Sequence, residues 1–258
     1  MSVLETTNLT IRFGGLTAVS NFNISLKEGE LVGLIGPNGA GKTTVFNMLT
    51  GVYRPSEGTV IFCKEQVCSA SKSLQPCQIT MKGIARTFQN IRLFKELSVL
   101  DNVKVAYHQN VKYGLIPAFF HTKQYDTEEQ EIEQKAIEFL KIFNLDGKKD
   151  EKAKNLPYGE QRRLEVARAL ATNPKLLLLD EPAAGMNPQE TKQLMELIRF
   201  IRNKFELTVL LIEHDMSLVM GVCERIYVLD YGKIIAHGTP AEIRCNPKVI
   251  EAYLGEEV

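Results

Sequence analysis

Eight residues, Gly36-Pro37-Asn38-Gly39-Ala40-Gly41-Lys42-Thr43, constrain this chain more than any other stretch. They satisfy the pattern of glycine, four residues, then Gly-Lys-Ser/Thr at every required position. Just before them, Leu31-Val32-Gly33-Leu34-Ile35 is a short apolar run of the kind that forms a fully buried strand, and the residues from Lys42 to about Leu49 read as a helix. A strand that enters such a loop and leaves as a helix turns successive backbone N–H groups, and the positive helix end, toward an anion. The glycines let the backbone wrap that closely. In this pattern Lys42 reaches β- and γ-phosphates, the Thr43 hydroxyl ligates Mg²⁺, and Thr44 adds a hydroxyl near the α-phosphate. The complete pattern in its strand–helix context weighs against a plain glycine-rich turn.

A second apolar run, Leu176-Leu177-Leu178-Leu179, ends in Asp180-Glu181 about 140 residues after the loop. Ligands bind at strand C-termini in parallel sheets, which puts these two carboxylates beside the phosphate loop. Asp180 then belongs to the Mg²⁺ shell, and Glu181 orients or deprotonates an attacking water. Alone, a strand ending in two solvated acids would say little; its placement relative to the loop gives it weight.

Apolar–polar alternation over residues 3–13 and 17–26 predicts half-buried strands, turned at Gly14-Gly15. Residues 59–62 read as an edge strand after Pro55-Ser56-Glu57-Gly58, and residues 208–212, 225–229 and 233–237 as further strands. Between them, residues 127–145 have a helical apolar face (Ile132, Ala136, Phe139, Leu140, Phe143) with Asp126 or Thr127 as N-cap, and a helix runs from Pro188 to about Phe205. Strand–helix–strand alternation implies an α/β fold with a mostly parallel sheet covered on both faces. The expected domain is single, with residues 1–90 and 160–240 as core, about 91–159 as an inserted helical lobe, and 241–258 as a C-terminal tail.

Of the 258 residues, Lys and Arg number 31 and Asp and Glu 31, so no basic excess marks a nucleic-acid surface. The start, MSVLETTNLTIRFGG, lacks a signal-peptide pattern, and no apolar run approaches the roughly 20 residues of a membrane-spanning helix. The expected place of action at a membrane is therefore its cytoplasmic face, docked on another subunit. Cys63, Cys68, Cys77, Cys223 and Cys245 are odd in number and fit no common zinc spacing, which reads as reduced cytosolic thiols. A surface thiol or metal site among the first three stays open.

Further short motifs follow in the order found in ABC ATPases, and the chain resembles that family along nearly its whole length. Phe13 stands where the family stacks an aromatic ring on adenine. Gln89, within Arg86-Thr87-Phe88-Gln89-Asn90, stands at the glutamine that links Mg²⁺ and the attacking water to the helical lobe. Leu156-Pro157-Tyr158-Gly159-Glu160-Gln161-Arg162-Arg163 resembles the family signature, so Tyr158, Gly159 and Glu160 would meet the nucleotide of a partner subunit. Ala184-Gly185-Met186-Asn187 occupies the D-loop, and His214 matches the switch histidine that contacts the γ-phosphate. Singly, Phe13 reads equally as a core aromatic, Gln89 as a surface amide and His214 as a strand-end histidine. Their joint order makes them a set. His108, His121 and His237 match nothing and read as ordinary.

Two positions depart from the pattern. Pro157 and Tyr158 replace the usual serine and glycine, which leaves Gly159, backbone N–H groups and a helix end to contact an anion. Asn187 replaces the usual aspartate, and before Pro188 it is also a standard helix start. Within the family, the chain resembles the larger ATPase subunit of branched-chain amino-acid importers. The resemblance rests on residues 9–19 (LTIRFGGLTAV), residues 84–90 (IARTFQN), the Leu-Pro-Tyr-Gly-Glu-Gln-Arg-Arg signature and the Ala-Ala-Gly-Met-Asn-Pro segment. It implies a P-loop core with an N-terminal antiparallel β subdomain, ATP and Mg²⁺ as ligands, and a homo- or heterodimer with a second ATPase. It also implies two membrane permease subunits and an extracytoplasmic binding protein. The apolar stretch 111–120 (VKYGLIPAFF) reads as lobe packing or as a membrane-subunit contact. Rival classes are an exporter ATPase of the lipopolysaccharide type, a soluble ABC ATPase acting on DNA or ribosomes, and a non-catalytic nucleotide-binding regulator.

Overall fold

The computed structural model describes residues 2–111, 119 and 122–254. His121 and most of segment 111–120 lie outside the described residues, as do residues 255–258 of the expected tail. The chain divides into two compact units, Met1–Gln89 with Lys175–Val258, and Asn90–Pro174.

The first unit contains two sheets. Strands β1 (Ser2–Phe13), β2 (Leu16–Phe22), β3 (Ser25–Lys27), β5 (Glu57–Phe62) and β6 (Glu65–Ser69) form an antiparallel sheet in the order β2-β1-β5-β6, with β3 also on β1. Strand β5 is therefore interior, not the edge expected, because Glu65–Ser69 returns beside it. The stretch 17–26 is broken in two after Phe22, and its halves pair with β1 in separate ladders.

The second sheet has the order β11-β10-β4-β9-β8-β7. It comprises β4 (Leu31–Ile35), β7 (Ile84–Arg86), β8 (Leu176–Asp180), β9 (Thr208–Ile212), β10 (Arg225–Asp230) and β11 (Lys233–Gly238). Every neighbouring pair is parallel except β10 with β11. Each residue of β4, β8 and β9 is buried, as their unbroken apolar character requires for central parallel strands. The helices of this unit are α1 (Lys42–Leu49), α2 (Pro76–Lys82), α6 (Pro188–Phe205), α7 (Met216–Val222), α8 (Pro240–Arg244) and α9 (Pro247–Leu254). Helix α6 buries Thr191, Leu194, Ile198 and Ile201, one stripe at helical spacing.

The second unit is built on α3 (Val99–Tyr107), α4 (Lys123–Ile142) and α5 (Tyr158–Leu170). It closes at Pro174 instead of 159, because α5 packs on α3 and α4 and so belongs with them. Helix α4 begins earlier than expected, at Lys123 after Thr122. The Thr127 hydroxyl donates back to the Lys123 carbonyl, and Asp126 sits in the first turn, so neither starts the helix. On its inner face Ile132, Ala136 and Leu140 are buried. His108 joins the Lys104 carbonyl and Glu129 at 2.8 Å each, while in the first unit His237 stacks on Tyr227. Both histidines have structural work to do.

Candidate active site

Residues 36–41 join β4 to α1, as the glycine pattern demands. Gly36, Gly39 and Gly41 all have positive φ. A Cβ at Gly36 would stand 1.9 Å from the Leu229 carbonyl oxygen, and one at Gly41 2.9 Å from that of Ala18. At these two positions the loop is pressed so closely against backbone that a side chain would collide. Pro37, Asn38, Gly39 and Ala40 form its crest, with Asn38 and Gly39 exposed. The Lys42 ammonium is buried and donates to the carbonyls of Gly36 (2.5 Å) and Pro37 (2.8 Å), so it lies on its own loop. Thr43 is exposed and Thr44 half-buried, at the first turn of α1.

Asp180 ends β8, and Glu181 turns the chain with φ 44°, its N–H donating to the Ile212 carbonyl at 2.9 Å. Gln89 donates its amide to Glu181 Oε2 at 2.7 Å. His214 follows β9, 63% exposed at its side chain, with Nδ1 3.8 Å from the same Glu181 oxygen. Gln89 and His214 thus converge on the Glu181 carboxylate. Phe13 is 45% exposed and meets Tyr53 edge-on at 5.3 Å, which is not the environment of a core aromatic.

Three contributors escaped the sequence reading. Glu213 is fully buried, and its carboxylate accepts the N–H groups of Ala183 (2.7 Å), His214 (3.0 Å) and Asp215 (3.3 Å). Burial pushes its carboxyl above the ordinary range, while the three N–H bonds pull the other way. One side chain therefore fastens the segment after Glu181 to the segment carrying His214. Asp215 caps α7 by accepting from Ser217 and Leu218 N–H groups, and its bond from the Ser217 hydroxyl holds its carboxyl below the usual range. Arg86 pairs with Asp180 at 2.7 Å. For Arg86 and Glu213 the available signal was faint, a charged residue at the end of an apolar run.

In the second unit, Tyr158, Gly159 and Glu160 form the first turn of α5. Pro157 is the N-cap and makes no side-chain cap bond. Glu160 is engaged by Lys148 at 2.7 Å. Arg162 and Glu165 form a wholly buried pair at 2.7 Å, and Glu165 also accepts the Arg92 N–H, so the helix bearing this segment is firmly set.

The donors suit Mg²⁺, which prefers oxygen and is commonly held by one or two carboxylates with substrate phosphates. Thr43, Asp180 and the Gln89 side-chain oxygen supply that chemistry. Among the described residues there is no group of three or more His, Cys, Asp or Glu side chains able to hold a metal without a substrate.

Residues 19–184 match the family model described as ABC transporter, and residues 233–258 match that of the branched-chain amino acid ATP-binding cassette transporter. The chain is 50% identical to the high-affinity branched-chain amino acid transport ATP-binding protein LivG of Salmonella typhimurium, covering 98% of each chain. It is 36% identical to the lipopolysaccharide export system ATP-binding protein LptB of Haemophilus influenzae, over 100% of this chain and 99% of that one. Its fold matches the crystal structure of the ADP conformation of an ATP-binding cassette of an ABC transporter, with TM-score 0.84, 32% identity and 99% of each chain covered. A glycine-rich phosphate loop, an acidic strand end and a histidine all follow the C-terminal ends of neighbouring central strands, and the chain belongs to the ABC transporter family of ATP-binding subunits.

Proposed function

We propose that this chain is the ATP-hydrolysing subunit of an importer for branched-chain amino acids. It acts at the cytoplasmic face of the membrane as half of an ATPase dimer. The observation that carries this reading is the 50% identity to LivG across 98% of both chains, against 36% to the export protein. The match of residues 233–258 to the branched-chain model supports it independently of the catalytic core. The dimer partner is a second, non-identical ATPase, the pair docks on two permease subunits, and an extracytoplasmic binding protein chooses the solute.

The residues divide the work of hydrolysis. Loop N–H groups of residues 38–43 and the α1 N-terminus hold the phosphates, and Lys42 leaves the Gly36 and Pro37 carbonyls to meet them. Phe13, with Tyr53 behind it, offers a face to the base. Thr43, Gln89 and Asp180 would hold Mg²⁺, which would supply positive charge to the phosphates there. Glu181 orients the attacking water, and Gln89 and His214 fix that carboxylate's direction. Gly159 and the α5 N-terminus face the partner's nucleotide, so closure of the dimer is required for turnover. Loss of the γ-phosphate removes the shared contact and reopens the dimer.

Glu181→Gln keeps the shape of this side chain while removing its charge, and so leaves nucleotide binding intact and the dimer closed. Tagged Glu181→Gln protein, recovered from native membranes with Mg-ATP, should bring down two membrane subunits and a different ATPase, identified by mass spectrometry. Recovery of lipopolysaccharide-export components, ribosomes, DNA or homodimer alone would overturn the importer reading. Near-normal multiple-turnover hydrolysis by the variant would overturn the role of Glu181.

A further inference from the structure

Arg86 closes the three-residue strand β7, which lies parallel to β8 with Arg86 opposite Leu178. Its side chain is 6% exposed and that of Asp180 4%, and Nη2 donates to Asp180 Oδ2 at 2.7 Å. Nη1 donates to Asn47 Oδ1 (2.7 Å) and Thr50 Oγ1 (3.3 Å), on α1 and at its end. The guanidinium also lies over the rings of Phe46 and Phe88, 5.4 and 4.9 Å from their centroids. Its Nε is buried without a hydrogen-bond partner. So many fixed contacts leave this group one orientation.

A carboxylate this deeply removed from water needs a compensating cation and fixed donors. Arg86 supplies both. Its planar fork binds Asp180 on one edge and the helix after the phosphate loop on the other, which a lysine ammonium cannot reproduce. Groups that hydrogen-bond a metal-directed carboxylate commonly set its aim and tune metal affinity.

We propose that Arg86 is the positioning residue for the Mg²⁺-directed carboxylate of Asp180, holding it aimed and registered to helix α1 before the nucleotide arrives. The inference rests on the ATPase reading above. It adds a residue to that site and a consequence, that cation and nucleotide binding are coupled through Arg86.

The test is isothermal titration of purified full-length protein with ADP, once with excess Mg²⁺ and once with EDTA. The ratio of the two affinities measures the coupling. In Arg86→Met the ratio should fall about tenfold, with affinity in EDTA within about twofold of wild type. Arg86→Lys should recover part of the loss, and Asn47→Ala, which leaves the Asp180 pair intact, should lower the ratio less than Arg86→Met does. A folded Arg86→Met protein with an unchanged or increased ratio overturns the inference. If Arg86→Met yields no soluble protein, Arg86→Lys is read in the same way, and an undiminished ratio there overturns it too. Failure of the wild type to bind ADP would sink the ATPase reading along with this inference, whereas a wild-type-like ratio in the variants sinks the inference alone.

Discussion

Asn187 stands at the D-loop position that the family pattern fills with aspartate, and its geometry argues that capping is its main work. The residue is extended, with φ −79° and ψ 166°, and Oδ1 accepts the N–H groups of Gln189 and Glu190 at 3.0 Å each. Glu190 answers by accepting the Asn187 N–H at 2.9 Å, and Pro188 occupies the first helical position. Replacing Asn187 with alanine removes an acceptor shared by two N–H groups, at a cost of about 1–2 kcal/mol. For a chain of this length that corresponds to a fall in Tm of roughly 2–8 °C. Asn187→Asp keeps the acceptor and places negative charge at the positive helix end, a gain of about 0.3–1 kcal/mol. The neighbouring Glu190 carboxylate offsets part of that gain, so the aspartate variant should lie within about 0.5 kcal/mol of wild type. Calorimetry gives the stabilities, and ATP turnover well below both transitions gives the function. With capping as the main role, both variants turn over within about twofold of wild type at that temperature. An alanine variant as stable as wild type would refute the capping argument. A stable aspartate variant with strongly altered turnover would show that the side chain acts in the dimer.

Gly36→Ala forces a Cβ to within 1.9 Å of the Leu229 carbonyl at φ +150°, whereas Gly39 faces open space at φ +77°. The first should cost at least about 2 kcal/mol and more than tenfold in ADP affinity, the second about 1 kcal/mol; equal stabilities and affinities would contradict the close-packed loop. Cys223 is buried beside Gly33, and burial, with Glu224 adding, pushes its thiol from 9.0 to about 12. A raised folded value means stability that is complete below pH 9.0 and drains away as pH climbs toward about 12, because only the unfolded thiol ionises in that window. The urea stability of wild type minus that of Cys223→Ala should therefore be constant below pH 9.0 and fall by up to about 1.4 kcal/mol per pH unit above it. A difference that stays flat through pH 10 would show that the thiol ionises freely in the fold.

The sequence announces the phosphate loop, the central strands and α6, because each has either a complete motif or a long unbroken period. Pro188–Phe205 is eighteen residues with a cap at one end, and its buried stripe repeats at helical spacing. Strand β7 has three residues, too few for any periodicity, and β6 is visible mainly through the partner it finds in β5. The early start of α4 hides behind Thr127, a residue that favours caps but here satisfies its hydroxyl on Lys123. Arg86 and Glu213 were illegible for a related reason. A charged residue at the end of an apolar run looks like the place where the strand reaches water, and only the packed structure reveals that both are buried.

Register explains why residues so distant in sequence share one place. Leu34 of β4 pairs with Ile212 of β9, and Ile212 pairs with Asp180 of β8. The phosphate loop, the acidic pair and His214 therefore all leave the sheet at one level, within two residues of that row. Level alone would leave three independent loops. Glu181 turns at positive φ while its N–H stays on the Ile212 carbonyl, which sends the chain sideways instead of onward. Glu213 then binds Ala183 on one side and His214 and Asp215 on the other. A single carboxylate thereby ties the segment carrying His214 to the segment leading to Asn187 and α6. The buried acid has a thermodynamic cost, seen in its raised carboxyl, and the three backbone bonds it makes are what that cost secures.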